Sequence, residues 1–156
     1  MKFTIIAVGK LKKGFWKEAC ADYFKRLQPY VSTNVIEIAD VDPHTCADEA
    51  AARGKEGVAI LRAIPDRAHV VLLDIHGKEL SSKGLSKHLD DLGLHGESHV
   101  VFVIGGSSGV SEEVYKRADE RVSFGAITLP HNLARVVLLE QLYRAQKISH
   151  NEPYHK

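Results

Sequence analysis

The chain has 156 residues, a formal net charge of +1 and 44% hydrophobic residues. This length suits one domain with its own core, and the composition excludes a disordered, collagen-like or coiled-coil protein. No run of about 18 apolar residues is present, so no transmembrane helix is expected, and the first residues lack the features of a signal peptide. Two cysteines without CxxC spacing and nine histidines without a metal-binding motif predict a reduced, cytoplasmic protein that holds no metal.

Charge is distributed unevenly along the chain. Residues 1–30 carry seven Lys/Arg against two Asp/Glu, and residues 121–156 carry five against two. Residues 31–120 carry nine against sixteen. If the two ends meet in space, within one chain or across a dimer, they form a basic face that the small net charge conceals. Solvated lysines are also common at chain ends, so charge alone leaves nucleic-acid binding open.

Apolar runs alternate with helical patterns from one end of the chain to the other. The runs predict strands at residues 2–8, 35–38, 69–75, 100–104 and 121–124. The helical patterns predict helices at residues 15–27, 47–64, 82–92 and 131–146, with a further helix starting at Ser111. This alternation, without a linker or an internal repeat, predicts a single α/β domain over residues 1–156 with a mostly parallel sheet and helices on both faces.

The last predicted helix differs from the others because its apolar residues cover nearly its whole circumference. A helix that is apolar all round is buried all round. One side can pack on the sheet of its own chain, and we expect Leu139 and Leu142 to lie at an interface with a second copy. The sequence therefore favours a homodimer over a monomer with a central helix.

A glycine-rich loop follows the predicted strand 100–104, and ligands of open α/β sheets bind beyond the carboxyl ends of strands. A Rossmann loop would need a glycine in place of Ile104, and a P-loop would need a lysine, so both are excluded. Three glycines in residues 105–109 exceed what a turn needs, which favours a ligand site. We expect a branched side chain at Gly105 or Gly106 to fill the space that the ligand requires.

The same loop matches the Gly-x-Ser-x-Gly nucleophile elbow, with Ser107 at its centre. Asp119 and His131 follow in the chain order that such a triad requires. A serine hydrolase of that fold needs a longer chain, so it is the less favoured alternative. Asp74, at the end of another buried strand, is either a catalytic carboxylate or a cap of the following loop.

Five motifs occur in order along the chain. They are Leu73-Asp74-x-x-Gly77-Lys78, Phe102-Val103-Ile104-Gly105-Gly106-x-x-Gly109, Thr128-Leu129-Pro130-His131, Glu140-Gln141-Leu142-Tyr143-Arg144-Ala145 and Pro153-Tyr154-His155-Lys156. Together they resemble the RlmH family, the minimal SPOUT methyltransferases. The resemblance implies an α/β fold with a C-terminal trefoil knot and a homodimer with composite active sites. It also implies S-adenosylmethionine as methyl donor and the imide nitrogen, N-3, of a pseudouridine in 23S ribosomal RNA as acceptor, in the assembled ribosome.

The resemblance implies that the cofactor binds to three loops that follow strands. The residues expected to bind it are Leu73, Gly105, Gly106, Phe124, Gly125, Ala126, Ile127, Thr128 and Leu129. The segment 124–129 is small and apolar, so it can offer backbone N–H and C=O groups to adenine while packing on its face.

Catalysis is expected to involve the basic, aromatic end of the chain. His155 or a water molecule can accept the imide proton, Arg144 can stabilise the developing anion or hold a phosphate, and Tyr154 can stack on the base. The residues expected to bind RNA are Lys12, Lys13, His131 and Arg135. The competing hypothesis is a non-catalytic module that binds RNA or the ribosome and retains a nucleotide pocket.

Overall fold

The computed structural model describes residues 1–154. Five strands form one sheet: β1 (Lys2–Val8), β2 (Ser32–Ile38), β3 (His69–Glu79), β4 (His99–Ile104) and β5 (Glu120–Ser123). They lie in the order β2-β1-β4-β3-β5, and every neighbouring pair is parallel. Parallel strands joined by helices require cover on both faces, which explains why β1 and β4 are apolar along nearly their whole length.

Four helices connect these strands and a fifth follows β5: α1 (Gly14–Leu27), α2 (Glu49–Ala63), α3 (Ser82–Leu94), α4 (Glu112–Arg117) and α5 (His131–Ser149). Three of them begin at a side-chain cap, which satisfies an amide of the first turn. Asp48 accepts from the amide of Ala51 at 2.8 Å, and Ser81 accepts from the amide of Gly84 at 3.0 Å. All ten predicted elements are present, so the predicted α/β fold with a parallel sheet is confirmed.

The core has two parts, one on each face of the sheet. On one face, Phe3 and Phe102 pack edge to face on each other, in one cluster with residues of α1, α3 and α5. On the other face, Ile6 and Val103 pack with α2 and α4. Alternate side chains of β1 and β4 thus enter different clusters, as the two-residue period of a strand dictates.

Helix α5 lies between α1 and α3 on the first face, and it packs against both. Leu139 and Leu142 are 1% and 0% exposed within this single chain. The expectation that they lie at a subunit interface is therefore wrong, because α1 and α3 already cover them. The helix still carries half-buried apolar residues on its outer side, including Leu133 and Val137. No helix among residues 1–154 is long and apolar enough to cross a membrane.

Candidate functional site

A cleft of about 650 Å³ opens at the carboxyl ends of β4 and β5 and beside the irregular part of β3 that follows Leu73. Because these strands are parallel and adjacent, the loops that follow them meet at one edge of the sheet. The lining includes nine of the residues predicted to bind cofactor or RNA: Leu73, Gly105, Gly106, Phe124, Gly125, Ile127, Thr128, Leu129 and His131. Ala126, also predicted, is exposed and does not belong to the lining.

The glycine-rich loop forms the floor of this cleft with a tight turn. The amide of Gly109 donates to the carbonyl of Gly106 at 3.0 Å, and Gly109 has a φ of +83°, which favours glycine. A Cβ on Gly105 would lie 2.6 Å from Cγ1 of Val110, and one on Gly106 would lie 3.1 Å from Cγ1 of Val8. Branched side chains at these two positions would therefore strike the protein itself, which corrects the expectation that they would simply fill the ligand space.

Residues 123–129 form an apolar wall opposite that loop. The hydroxyl of Ser123 accepts from the amide of Gly125 at 3.1 Å and donates to its carbonyl at 3.0 Å, which shapes the turn into the wall. Ile127 is 65% exposed and Ile75, across the cleft, is 45% exposed. Two aliphatic side chains of this size facing one cleft provide a surface for the flat face of an aromatic ligand.

Asp74 and Tyr115 are two of the polar residues that line the cleft. The Asp74 side chain is 8% exposed, and its carboxylate accepts from the amide of His76 at 3.2 Å and lies 3.3 Å from Arg121. This geometry matches the interpretation of Asp74 as a loop cap. Burial, followed by the negative charge of Asp74, raises the pKa of the Tyr115 phenol, so Tyr115 is protonated at neutral pH.

Ser107 and Asp119 lie at opposite edges of the sheet, which rules out the serine hydrolase. Ser107 follows the carboxyl end of β4, whereas Asp119 precedes the amino end of β5. The Asp119 carboxylate accepts from the amide of Val70 at 2.7 Å, close to the start of β3. A triad aspartate must instead contact its histidine beside the nucleophile.

The residues predicted to bind RNA occupy different environments. Lys12 and Lys13 are exposed in the loop before α1. His131 lines the cleft, and its Nε2 would lie 3.1 Å from a Cβ on Gly9. Arg135, in contrast, is 3% exposed, and its guanidinium is held within the chain. The structure does not bring Arg135 to a surface that RNA could reach.

Arg144 and Tyr154 form a compact cluster far from the cleft of the same chain. The Arg144 guanidinium lies 4.6 Å from the ring centroid of Tyr154, and its Nε donates to Glu140 at 2.9 Å. Tyr154 also packs on Tyr143, with ring centroids 4.7 Å apart. Arg144 is 13 residues after His131 on α5, so it lies about 20 Å further along the helix axis at 1.5 Å per residue. His155, the predicted base, lies outside the described residues.

Ile75 and Tyr115 are among the cleft residues that were not predicted as site residues from the sequence. Ile75 ends the predicted strand 69–75, so its position at a carboxyl end is the signal that could have found it. Tyr115 lies on α4, and nothing in its local sequence indicates a site. Among residues 1–154, no three His, Cys, Asp or Glu side chains gather in a way that could hold a metal.

A parallel sheet whose carboxyl edge carries a glycine turn and an apolar wall defines an α/β protein with a ligand-sized cleft at the position where such sheets bind ligands. A family model described as "Predicted SPOUT methyltransferase" matches residues 1–155. The chain belongs to the SPOUT methyltransferase family, in the RlmH group that its motifs resemble.

Three relatives illustrate this similarity. The ribosomal RNA large subunit methyltransferase H of Desulfitobacterium hafniense (strain Y51) is 48% identical over 159 positions, which cover 100% of this chain and 99% of the relative. Proteins of the same name from Bifidobacterium adolescentis and Listeria welshimeri serovar 6b are 47% and 48% identical, each over 100% of both chains.

Proposed function

We propose that this protein transfers a methyl group from S-adenosylmethionine to the N-3 imide nitrogen of a pseudouridine in 23S ribosomal RNA of the large subunit. The observation that carries this proposal is the cleft, whose glycine turn and exposed aliphatic wall lie at the carboxyl edge of a SPOUT methyltransferase sheet. The names of the relatives, which specify the large-subunit RNA, support the choice of acceptor.

The residues of the cleft fit the proposed methyl donor. Ile127 and Ile75 expose apolar surface that an adenine ring would cover, and backbone groups of the wall lie beside them. The cleft volume falls within the range of about 300–1,000 Å³ typical of small-ligand sites. When bound, S-adenosylmethionine supplies a methyl group on a positively charged sulfur atom, open to in-line displacement. The chain's own task is to orient the acceptor and to remove its proton.

Proton removal requires a group that can accept a proton at neutral pH. Burial, followed by the charge of Glu140, raises the pKa of Tyr154 to about 12. The Tyr154 phenol therefore stays protonated at neutral pH and does not serve as the base. We infer that His155 accepts the imide proton, because imidazole is the side chain whose ordinary pKa lies nearest neutrality. Arg144, with its charge held in place by Glu140, stabilises the imide anion.

The active site is proposed to be composite, built from two copies of the chain. In one chain, Arg144 lies about 20 Å along α5 from His131, which lines the cleft, and Tyr154 packs on Arg144. A partner copy packed on the outer side of α5, where Leu133 and Val137 are half buried, would place its own Arg144 at the cleft. This arrangement makes the homodimer a requirement of catalysis rather than only a stabilising contact.

The proposal includes three further properties implied by the family. Residues 1–156 form one SPOUT domain, its C-terminal segment is tied in a trefoil knot, and the protein acts in the cytoplasm on assembled ribosomes. The experiment is mass spectrometry of 23S ribosomal RNA from cells that lack or carry the gene, with purified protein added back to ribosomes and to free RNA. We expect a pseudouridine heavier by one methyl group only where the protein is present. Tight binding to ribosomes with no added methyl group would favour the non-catalytic binding module.

A further inference from the structure

An exposed aromatic pair begins helix α1. Phe15 is 61% exposed, which makes it the one exposed aromatic side chain among residues 1–154. Its ring centroid lies 4.9 Å from that of Trp16, and the two planes are tilted by 59°. Neither ring belongs to the two core clusters of the described chain. The pair therefore presents flat apolar surface to the outside of the molecule.

Lysines outnumber acids around this pair, where the exposed Glu18, directly after Lys17, is the nearest acid in the sequence. Exposed lysines stand at positions 10, 12, 13 and 17, and the segment 10–17 contains no Asp or Glu. The first turn of α1 also lacks an acidic residue. Glu37, a carboxylate close enough to Lys10 to feel its charge, is held by Arg135 at 2.7 Å. The potential over the aromatic pair is therefore positive.

The segment 10–17 starts beside the cleft. It follows β1 directly, so it leaves the sheet at the same carboxyl edge where the cleft opens. Gly9, at the junction, packs against the ring of His131, which lines the cleft. An extended chain molecule that places one of its units in the cleft would therefore pass over the segment 10–17.

We propose that residues 10–17 form a stacking surface for single-stranded RNA next to the acceptor nucleotide. Phe15 and Trp16 stack on nucleobases while the four lysines contact phosphates, the combination used by proteins that bind single strands. The inference rests on the proposed function, because it assigns a surface to the RNA that the enzyme methylates.

A second copy of the chain fits this surface less well than RNA does. In a two-fold symmetric contact the same patch would face itself, so the lysines of both copies would be brought together. Like charges placed opposite each other in an interface are unfavourable, whereas a phosphate backbone neutralises them. The lysines thus favour a polyanion, and the aromatic pair favours one that carries flat bases, as RNA does.

The test uses Trp16, the single tryptophan of the chain, as a fluorescent reporter. The full-length protein is titrated with a short oligouridylate and with an abasic oligomer of equal length. We expect the oligouridylate to quench Trp16, because a stacked base lies on the ring, and the abasic oligomer to leave its emission nearly unchanged. Phe15→Ala should weaken oligouridylate binding about ten-fold, and Phe15→Tyr should restore it.

Salt dependence separates stacking from phosphate contacts. Phe15→Ala should keep the parent's slope of log affinity against log salt, whereas the double variant Lys12→Ala/Lys13→Ala should flatten it. Leu94→Ala is the matched control, because Leu94 is 84% exposed on another part of the molecule. It should bind the oligomer as the parent does.

Two outcomes would overturn the stacking surface. One is unchanged binding by Phe15→Ala together with equal quenching by both oligomers. The other is weakened binding by Phe15→Ala accompanied by a change of oligomeric state in light scattering, which would assign Phe15 to a subunit contact. Methylation of ribosomal RNA by the parent, measured in parallel, shows whether the proposed function stands when the stacking surface does not.

Discussion

The guanidinium of Arg135 lies 2.7 Å from the carboxylate of Glu37, a residue 98 positions earlier in the chain. The same guanidinium donates to the carbonyl of Gly9 at 2.9 Å. Arg135 thus joins the first turns of α5 to the carboxyl ends of β1 and β2. His131, one turn before Arg135, lines the cleft, so this ion pair positions one wall of the site.

Removing Glu37 should destabilise the fold, because it leaves the buried Arg135 without its counter-charge. We expect Glu37→Ala to lower the free energy of unfolding by about 2 kcal/mol, below the 3–5 kcal/mol typical of a fully buried pair, since the Glu37 side chain is 36% exposed. Asp91→Ala is the control, because it breaks the exposed Lys87–Asp91 pair, for which less than about 1 kcal/mol is expected. Urea denaturation measures both, and equal losses would contradict the positioning role.

The same pair predicts a dependence of stability on acid. The hydrogen bond from Arg135 lowers the pKa of the Glu37 carboxyl, so the folded state holds this group ionised more strongly than the unfolded state does. Its contribution is present above about pH 4.3, the ordinary glutamate value, and is lost as the pH falls through the lowered folded-state pKa. Melting temperatures of the parent and of Glu37→Gln should therefore converge below that pH. A difference in melting temperature that is the same at every pH would argue against a link between Glu37 ionisation and stability.

The fold was predictable from the sequence because apolar periodicity and local caps decide most of it. Ser81 and Ser111 mark helix starts in the sequence, and both cap those helices in the structure. The extension of β3 to Glu79 was not predictable. It depends on pairing of Lys78 with Val122 after an irregularity in the register, a tertiary contact with no local signal.

The site was predictable at its backbone loops and less so at its charged side chains. Glycines and strand ends locate the cleft, because backbone geometry is encoded locally. The environment of Arg135 depends instead on Glu37, so its burial could not be read from α5 alone. Likewise, the helix that is apolar all round is covered by α1 and α3, which the local sequence of Leu139 does not reveal.

Ile127→Lys should weaken the binding of S-adenosylmethionine at least ten-fold without changing the melting temperature. Ile127 is 65% exposed in the cleft, so the fold tolerates a lysine, but its charge replaces apolar surface and repels the cationic donor. Val58→Lys is the matched control, because Val58 is 51% exposed on α2, away from the cleft. Calorimetric titration checks both variants. Equal affinity of Ile127→Lys and the parent for S-adenosylmethionine would show that the apolar wall is not part of the cofactor site.

Tyr154→Phe should change alkaline stability more than activity at neutral pH. Burial raises the pKa of Tyr154 to about 12, so the folded state retains a proton that the unfolded state releases near pH 10. The parent therefore loses stability from this group as the pH rises between these values, and the phenylalanine variant does not. Because the phenol is not the base, methyl transfer at neutral pH should be largely retained. Loss of methyl transfer in Tyr154→Phe, with an intact fold, would give the hydroxyl a direct role.

A composite site makes a quantitative prediction about mixed dimers. Arg144→Ala should abolish methyl transfer but bind the donor, whereas Ile127→Lys should lose the donor but keep Arg144. In a 1:1 mixture that exchanges subunits, half of the dimers are mixed, and each has one intact site formed by the cleft of one copy and Arg144 of the other. About a quarter of the parental activity should therefore return.

The matched control for this complementation is a mixture in which both variants damage the same side of the composite site. A mixture of Arg144→Ala and Tyr154→Ala should stay inactive. Every cleft in every dimer then faces a partner that lacks either Arg144 or the Tyr154 ring, which belong to the same cluster. Light scattering confirms that each variant is still dimeric, and radiolabelled methyl transfer to ribosomes measures activity. Failure of Arg144→Ala and Ile127→Lys to complement each other, although both are dimeric and exchange subunits, would mean that each chain completes its own site despite the distance of about 20 Å along α5.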